Sequence, residues 1–225
     1  MVGKIDLFYD EAYEKVMGTG LIGLFWKFIH KQMNRTIEWH PTSVVLEVGA
    51  GHGQHYDQTN PESALYIETD IRESMGYTSN FQKTDLSLQG RLKRKMNAEV
   101  LTDIPNDSID VLVATCILAH LTNPENALAE WRRVTKVGGS IIIYVPCEPG
   151  ILLRFTRILS TAKKFKSVGI EQREIHWLEH RNHYLFLQIL LHKAFSADTT
   201  KIRKFPFKYL LWDLNLYSIY TVTKL

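Results

Sequence analysis

The stretch Val44-Val45-Leu46-Glu47-Val48-Gly49-Ala50-Gly51-His52-Gly53-Gln54 constrains this chain more than any other. A β-branched, apolar run ending in three glycines at alternate positions describes a buried parallel strand that enters a tight turn and then a helix. Glycines in such a turn let the backbone approach a ligand where a Cβ would intrude. The spacing is Gly-x-Gly-x-Gly. Gln54 stands where the dinucleotide fingerprint Gly-x-Gly-x-x-Gly has its third glycine.

The size of the chain limits the domain that can carry this turn. Its 225 residues suffice for one sizeable core and are too few for two comfortable domains. The expected organisation is a single domain over 1–225, with a helical cap over 1–40, a ligand-binding core over 41–147, a lid insertion and last helix over 148–195, and closing strands over 196–225. No apolar run is long enough to cross a bilayer, and the first residues lack a signal-peptide pattern. The two cysteines, Cys116 and Cys147, form no metal-type pair, so a reduced, cytoplasmic setting is the expectation. A net charge of +3 does not by itself imply nucleic acid.

Strands are expected at about 43–48, 64–69 (ending at Asp70), 92–97, 111–115 and 141–145, with a final pair at 200–206 and 216–223. Residues 76–91 read mostly as loop. Thr122-x-x-Glu125 reads as a capping box opening a helix that runs to about Lys136, where Gly138-Gly139 closes it. Residues 151–195 read as helical with a break near Gly169. This alternation implies an α/β, doubly wound, mostly parallel sheet, which binds ligands at the carboxyl ends of its strands. The glycine turn, Asp70, Asn97, Thr115 and Pro146 all fall at such ends.

Asp70 lies 17 residues after Gly53, and a carboxylate there can accept both hydroxyls of a ribose. Together with Asn97-Ala98-Glu99, Ile104-Pro105, Asp107-Ser108-Ile109-Asp110-Val111 and Glu130-x-x-Arg133-Val134-x-x-x-Gly138-Gly139, the pattern resembles the class I S-adenosylmethionine-dependent methyltransferases, small-molecule type, over residues 40–146. The resemblance implies a Rossmann-like sheet with an antiparallel last strand, here Tyr217–Thr223. It implies S-adenosylmethionine as cofactor. Glu47 and the backbone of Gly49, Ala50, Gly51 and Gly53 would hold its methionine part, Asp70 its ribose, and Ile71 the adenine face. Asn97, where the family usually has Asp, and Ala98 would meet the adenine amino group. The Thr115 carbonyl would reach the cofactor's amino group. The competing readings are a nucleotide-dependent oxidoreductase, weakened by Gln54, and a non-catalytic binding module.

Methyl transfer needs proximity and orientation and, for a hydroxyl or amine acceptor, a base. Histidine suits that work near neutral pH. The run His176-Trp177-Leu178-Glu179-His180-Arg181-Asn182-His183-Tyr184 offers His180 or His183 as the base, oriented by Glu179 or Tyr184, against the plainer reading of helix-capping residues. As a helix it would also set His176, His180 and His183 on one face, but no fourth metal ligand is evident and no metal is assigned. His120 follows the fourth strand close to the methyl position, as a hydrogen-bonding or catalytic group.

From Ile151 to Lys166, apolar positions alternate with Arg154, Arg157, Lys163, Lys164 and Lys166. That pattern fits an anionic acceptor, a peripheral contact with an anionic membrane, or a solvated face over a core stripe. Glu148-Pro149-Gly150 would hinge this lid. The acceptor is then a small or lipid-linked molecule. A nucleic-acid acceptor is not expected, because basic residues are not interleaved with stacking aromatics.

Overall fold

The computed structural model describes residues 8–59, 61–73, 76–77, 86–169 and 178–225. Seven strands form one sheet: β1 (Val44–Val48), β2 (Leu65–Asp70), β3 (Gly90–Lys95), β4 (Ile109–Thr115), β5 (Thr135–Pro146), β6 (Thr199–Phe205) and β7 (Tyr217–Thr223), in the order β3-β2-β1-β4-β5-β7-β6. The first five run parallel, and β7 lies antiparallel between β5 and β6. The helices are α1 (Tyr13–Met17), α2 (Gly20–Asn34), α3 (Gln54–Thr59), α4 (Pro124–Val134), α5 (Ile151–Ser160), α6 (Ala162–Ser167) and α7 (Tyr184–Ala194).

Side-chain alternation covers both faces of the sheet. Leu46, Val48, Ile67, Leu112, Ala114, Ile141 and Ile143 pack with Leu128 and Trp131 of α4 and Leu187 and Leu191 of α7. Their sequence neighbours Val45, Tyr66, Val111, Val113, Ile142 and Tyr144 pack with Ile29 and Met33 of α2 on the other face. The strand order reverses between β1 and its two neighbours β2 and β4, which opens the crevice where such sheets place ligands.

Four expectations are corrected. The third strand begins at Gly90 rather than near 92, where Gly90 turns the chain in at φ +91°. Helix α4 is capped not by Thr122 but by Asn123, whose side chain accepts from the Asn126 N–H at 3.1 Å. The Thr122 N–H instead donates to Glu99 at 2.6 Å. Helix α4 stops at Val134, where the Thr135 hydroxyl bonds back to the Trp131 carbonyl at 2.7 Å and the chain turns extended. Gly138-Gly139 is therefore not a helix stop. It is a bulge inside β5, pairing through Gly138 N–H and Gly139 C=O with Lys224, while the register against β4 jumps from Ile109↔Thr135 to Val111↔Ser140.

The fourth correction concerns the run before α7. His180 and His183 do not share a helical face, because Asn182 pins the segment to the turn that follows β4. Its backbone N–H donates to the Ala119 carbonyl, and its amide donates to the carbonyls of Leu118 and Leu121. Helix α7 opens only at Tyr184. His176 lies outside the described residues.

One buried pair ties α2 to α3. His30 and His55 meet Nδ1 to Nδ1 at 3.0 Å, and among the described residues neither Nε2 has a partner. Burial pushes His30 down from 6.5 to about 4, and burial with His30 alongside pushes His55 well down. The unfolded chain therefore binds more protons than the folded one as pH falls below 6.5, so this pair removes stability on acidification. His30 alone should cost about 2–3 kcal/mol between pH 7 and 4.5. Urea unfolding of the double variant His30→Leu, His55→Leu should show a shallower acid limb than wild type, and parallel limbs would refute the assignment.

Candidate active site

The glycine turn is built as the sequence requires. Gly49 and Gly51 hold φ +66° and +55°. A Cβ on Gly49 would strike the side chain of Ile117 at 2.6 Å, whereas one on Gly51 would meet nothing within 4 Å among the described residues. Gly49 is thus glycine for close packing, and Gly51 for an open cradle in which a ligand can lie against bare backbone. The Gly51 N–H donates to Asp70 Oδ2 at 3.0 Å, and the Arg72 N–H to Oδ1 at 3.1 Å. The Asp70 carboxylate is fixed at the carboxyl end of β2, and each oxygen retains lone-pair capacity for a ribose hydroxyl.

These groups open onto a cavity of about 600 Å3, within the usual range for small-molecule sites. Gly49, Gly51, Asp70, Ile71, Asn97, Ala98, Thr115 and His120 line it, and so does His180. Ile71 is 62% exposed, an apolar side chain offered to a flat ring. The Asn97 Oδ1 accepts from the Glu99 N–H at 2.9 Å and keeps one lone pair. The Ala98 carbonyl is occupied by the Trp131 indole N–H at 2.9 Å. Thr115 sits at the end of β4, its hydroxyl 3.8 Å from the Met33 sulfur.

Glu47, Ala50, Gly53 and His183 are not among the lining residues. The Glu47 side chain is buried behind the turn, where it accepts from the Tyr66 hydroxyl at 2.8 Å; burial pushes its carboxyl up to about 8. Ala50 and Gly53 shape the turn through Ala50 N–H to the Thr69 carbonyl and Gly53 N–H to the Ala50 carbonyl. His183 is the N-cap of α7 and makes no side-chain cap bond.

The far wall comes from segments distant in sequence. Buried Glu148, two residues beyond the end of β5, bonds both Arg157 of α5 and His180 Nδ1. An ionised carboxylate only accepts, so the His180 proton sits on Nδ1 and Nε2 is left as the acceptor. Burial is the main force holding His180 well below the ordinary histidine value, with His120 and Arg157 adding to it. His120 stands nearly perpendicular to His180 with ring centroids 4.5 Å apart, and its Nδ1 is 3.8 Å from Glu179. The arrangement is a neutral imidazole oriented by a carboxylate, which is the makeup of a proton acceptor.

The sequence offers His120 and His180, with Glu148 as a hinge and Glu179 or Tyr184 as the orienting group; the structure gives that place to Glu148, while the Tyr184 hydroxyl pairs with Ser218 at 2.7 Å. Glu148's position just past a strand end was the available signal. Cys116, at φ +62°, also enters the site, its sulfur within 4.8 Å of donor nitrogens of His120 and His180. Burial pushes its thiol up to about 11, and the half-buried Arg157 guanidinium lies near, so the trio is poorly suited to hold a cation.

The roof is aromatic. Tyr9 stacks on Tyr13 at 5.6 Å, Tyr13 on His52 at 6.0 Å, and the Arg72 guanidinium lies 4.1 Å over the Tyr9 ring. His52 donates from Nε2 to the Tyr9 carbonyl at 3.0 Å. Phe8 stacks on Phe165 at 5.2 Å, and Lys164 donates to the Thr19 carbonyl at 2.7 Å, so the N-terminal helices and α6 close over the cavity together.

Residues 46–143 match the family model of the methyltransferase domain. Over those residues the chain is similar to methyltransferases. The family match and the solved neighbours imply S-adenosylmethionine as the cofactor. The domain is 29% identical over 146 residues to the hybrid PKS-NRPS synthetase poxE of Penicillium oxalicum, a match covering 61% of this chain and 4% of that protein. It is 29% identical over 107 residues to the ubiquinone/menaquinone biosynthesis C-methyltransferase UbiE of Hydrogenovibrio crunogenus, covering 46% of this chain and 42% of that one. The chain therefore spans less than half the length of these curated relatives. Its fold matches that of a SAM-dependent methyltransferase from Thermotoga maritima, described as a possible histamine N-methyltransferase, with TM-score 0.63, 17% identity, and 98% and 99% of the two chains covered. The open cradle at Gly51, the fixed Asp70 carboxylate and the exposed Ile71 fit that cofactor.

Proposed function

We propose that this protein transfers a methyl group from S-adenosylmethionine to an oxygen or nitrogen atom of a small-molecule or lipid-linked acceptor. The observation that carries the reading is one cavity lined both by the Gly51–Asp70 cradle and by His120 and His180, the latter oriented from behind by Glu148. The cofactor supplies a methyl group already activated on a sulfonium. The protein's part is to bind, orient and exclude water, and to accept a proton. Asp70 and the glycine turn fix the donor side. Tyr9, Tyr13 and Phe8 roof the cavity against solvent. His180 Nε2 takes the acceptor's proton, and the Glu148 carboxylate stabilises the imidazolium that forms.

The name of the UbiE relative favours a second reading, a carbon acceptor, which also requires loss of a proton. Calorimetric titration with S-adenosylhomocysteine, with NADH as control, tests the donor side. Micromolar binding of the former alone is expected, and NADH binding in its place would overturn the reading. Transfer from labelled S-adenosylmethionine to candidate acceptors, lipids first, with the methylated atom located by mass spectrometry, separates oxygen and nitrogen from carbon.

A further inference from the structure

Three neighbouring segments, two of which line the cavity, expose large apolar side chains. Helix α2 presents Leu21, at 83% exposure, with Leu24 and Phe28. Helix α5 presents Ile151, Phe155, Ile158 and Leu159, the last 69% exposed. The loop after β6 presents Phe207, Tyr209, Leu210 and Leu211, the last 70% exposed. Contacts bring them to one end of the molecule. Phe28 packs on Phe205 at 5.3 Å, the turn Trp212–Leu214 packs against α5, and Lys164 just beyond α5 bonds the Thr19 carbonyl at the start of α2.

The charge on these segments is of one sign. Residues 20–34, 151–169 and 199–211 together hold eleven Lys and Arg and no Asp or Glu, in a chain whose net charge is only +3. Arg157 and Lys164 are engaged internally, but Lys27, Lys31, Arg154, Lys166 and Lys208 are exposed beside the apolar groups. Protection of the edge strand β6 accounts for Lys201 and Arg203. It does not account for the leucines and aromatics next to them.

We infer that this face binds the surface of an anionic lipid bilayer, with the cavity mouth turned toward the lipid. Apolar side chains beside exposed cations that have no ion pair among the described residues match the boundary between acyl chains and anionic headgroups. Leu21 and Leu153, from α2 and α5, also line the cavity, so the apolar face adjoins the proposed acceptor site. Among the described residues no helix is long and apolar enough to cross a membrane, so contact is at the surface. The inference rests on the proposed methyl transfer only for the direction from which an acceptor arrives. Lipid binding is measured without cofactor or turnover.

The test is sedimentation of the full chain with vesicles of phosphatidylcholine alone and of phosphatidylcholine mixed with phosphatidylglycerol. Binding to the mixed vesicles at least about tenfold tighter than to the neutral ones, and weakened by salt, is expected. The exposed double variant Phe155→Asp, Leu159→Asp should lose about tenfold or more in vesicle binding and keep its affinity for S-adenosylhomocysteine. Equal partition to both vesicle types, or none, overturns the inference. So does light scattering that shows a wild-type dimer of the 26.1 kDa chain which the same double variant converts to monomer, since a second copy then covers the face.

Discussion

Asp70→Ala is expected to weaken S-adenosylhomocysteine binding about a hundredfold or more while the protein stays folded. The carboxylate is held by the Gly51 and Arg72 N–H groups and faces the cavity from the end of β2. Two hydroxyls accepted by one ionised group are each worth about 1.5–3 kcal/mol, and 1.4 kcal/mol is a tenfold change in affinity. Removal also frees the Gly51 N–H, which loosens the cradle and adds to the loss. Asp70→Asn is the informative companion. Its amide oxygen still accepts one bond, so its affinity should fall between those of wild type and the alanine variant. Calorimetry reads both, and an unchanged affinity in Asp70→Ala would remove the ribose assignment.

That half of the site was legible in the sequence because it is local. Strand, glycine turn and the next strand's terminal acid belong to one β-α-β unit, and their spacing alone places them together. Gly51 and Asp70 meet for that reason, only 19 residues apart. Glu47 shows the limit of such reading. The residue type suits the cofactor's methionine part, yet strand alternation sends its side chain to Tyr66, away from the cavity.

The other half was not legible, because it depends on tertiary contacts. Glu148 and His180 are 32 residues apart, and no periodicity links a strand-end glutamate to a histidine ahead of α7. The decisive device is Asn182, whose amide reaches back to the Leu118 and Leu121 carbonyls and presents His180 rather than His183 to the cavity. Element boundaries failed on the same ground. Thr122-x-x-Glu125 satisfies a capping pattern, but the Thr122 N–H is claimed by Glu99 from another segment, and the cap passes to Asn123. The Gly138-Gly139 pair signals a backbone departure correctly, though only the pairing with Lys224 reveals it as a bulge.

His180→Ala should lower kcat by about 10²–10⁴-fold, the usual contribution of a positioned base, and leave S-adenosylhomocysteine affinity within about threefold. Burial, His120 and Arg157 hold the His180 imidazole well below 6.5, so the base is neutral across the physiological range. The acid limb of kcat/KM, which reports loss of activity as the base protonates, therefore lies below pH 6.5. Glu148→Gln keeps a hydrogen-bond acceptor for Nδ1 and deletes the charge that favours the imidazolium. Its acid limb should move to lower pH still, with kcat down about tenfold. A histidine that merely packs would give a different signature, with lower stability, weaker cofactor binding and an unmoved pH profile. His120→Ala separates the two imidazoles. If it abolishes turnover while His180→Ala spares it, the proton goes to His120, and Glu179 at 3.8 Å takes over the orienting role from Glu148.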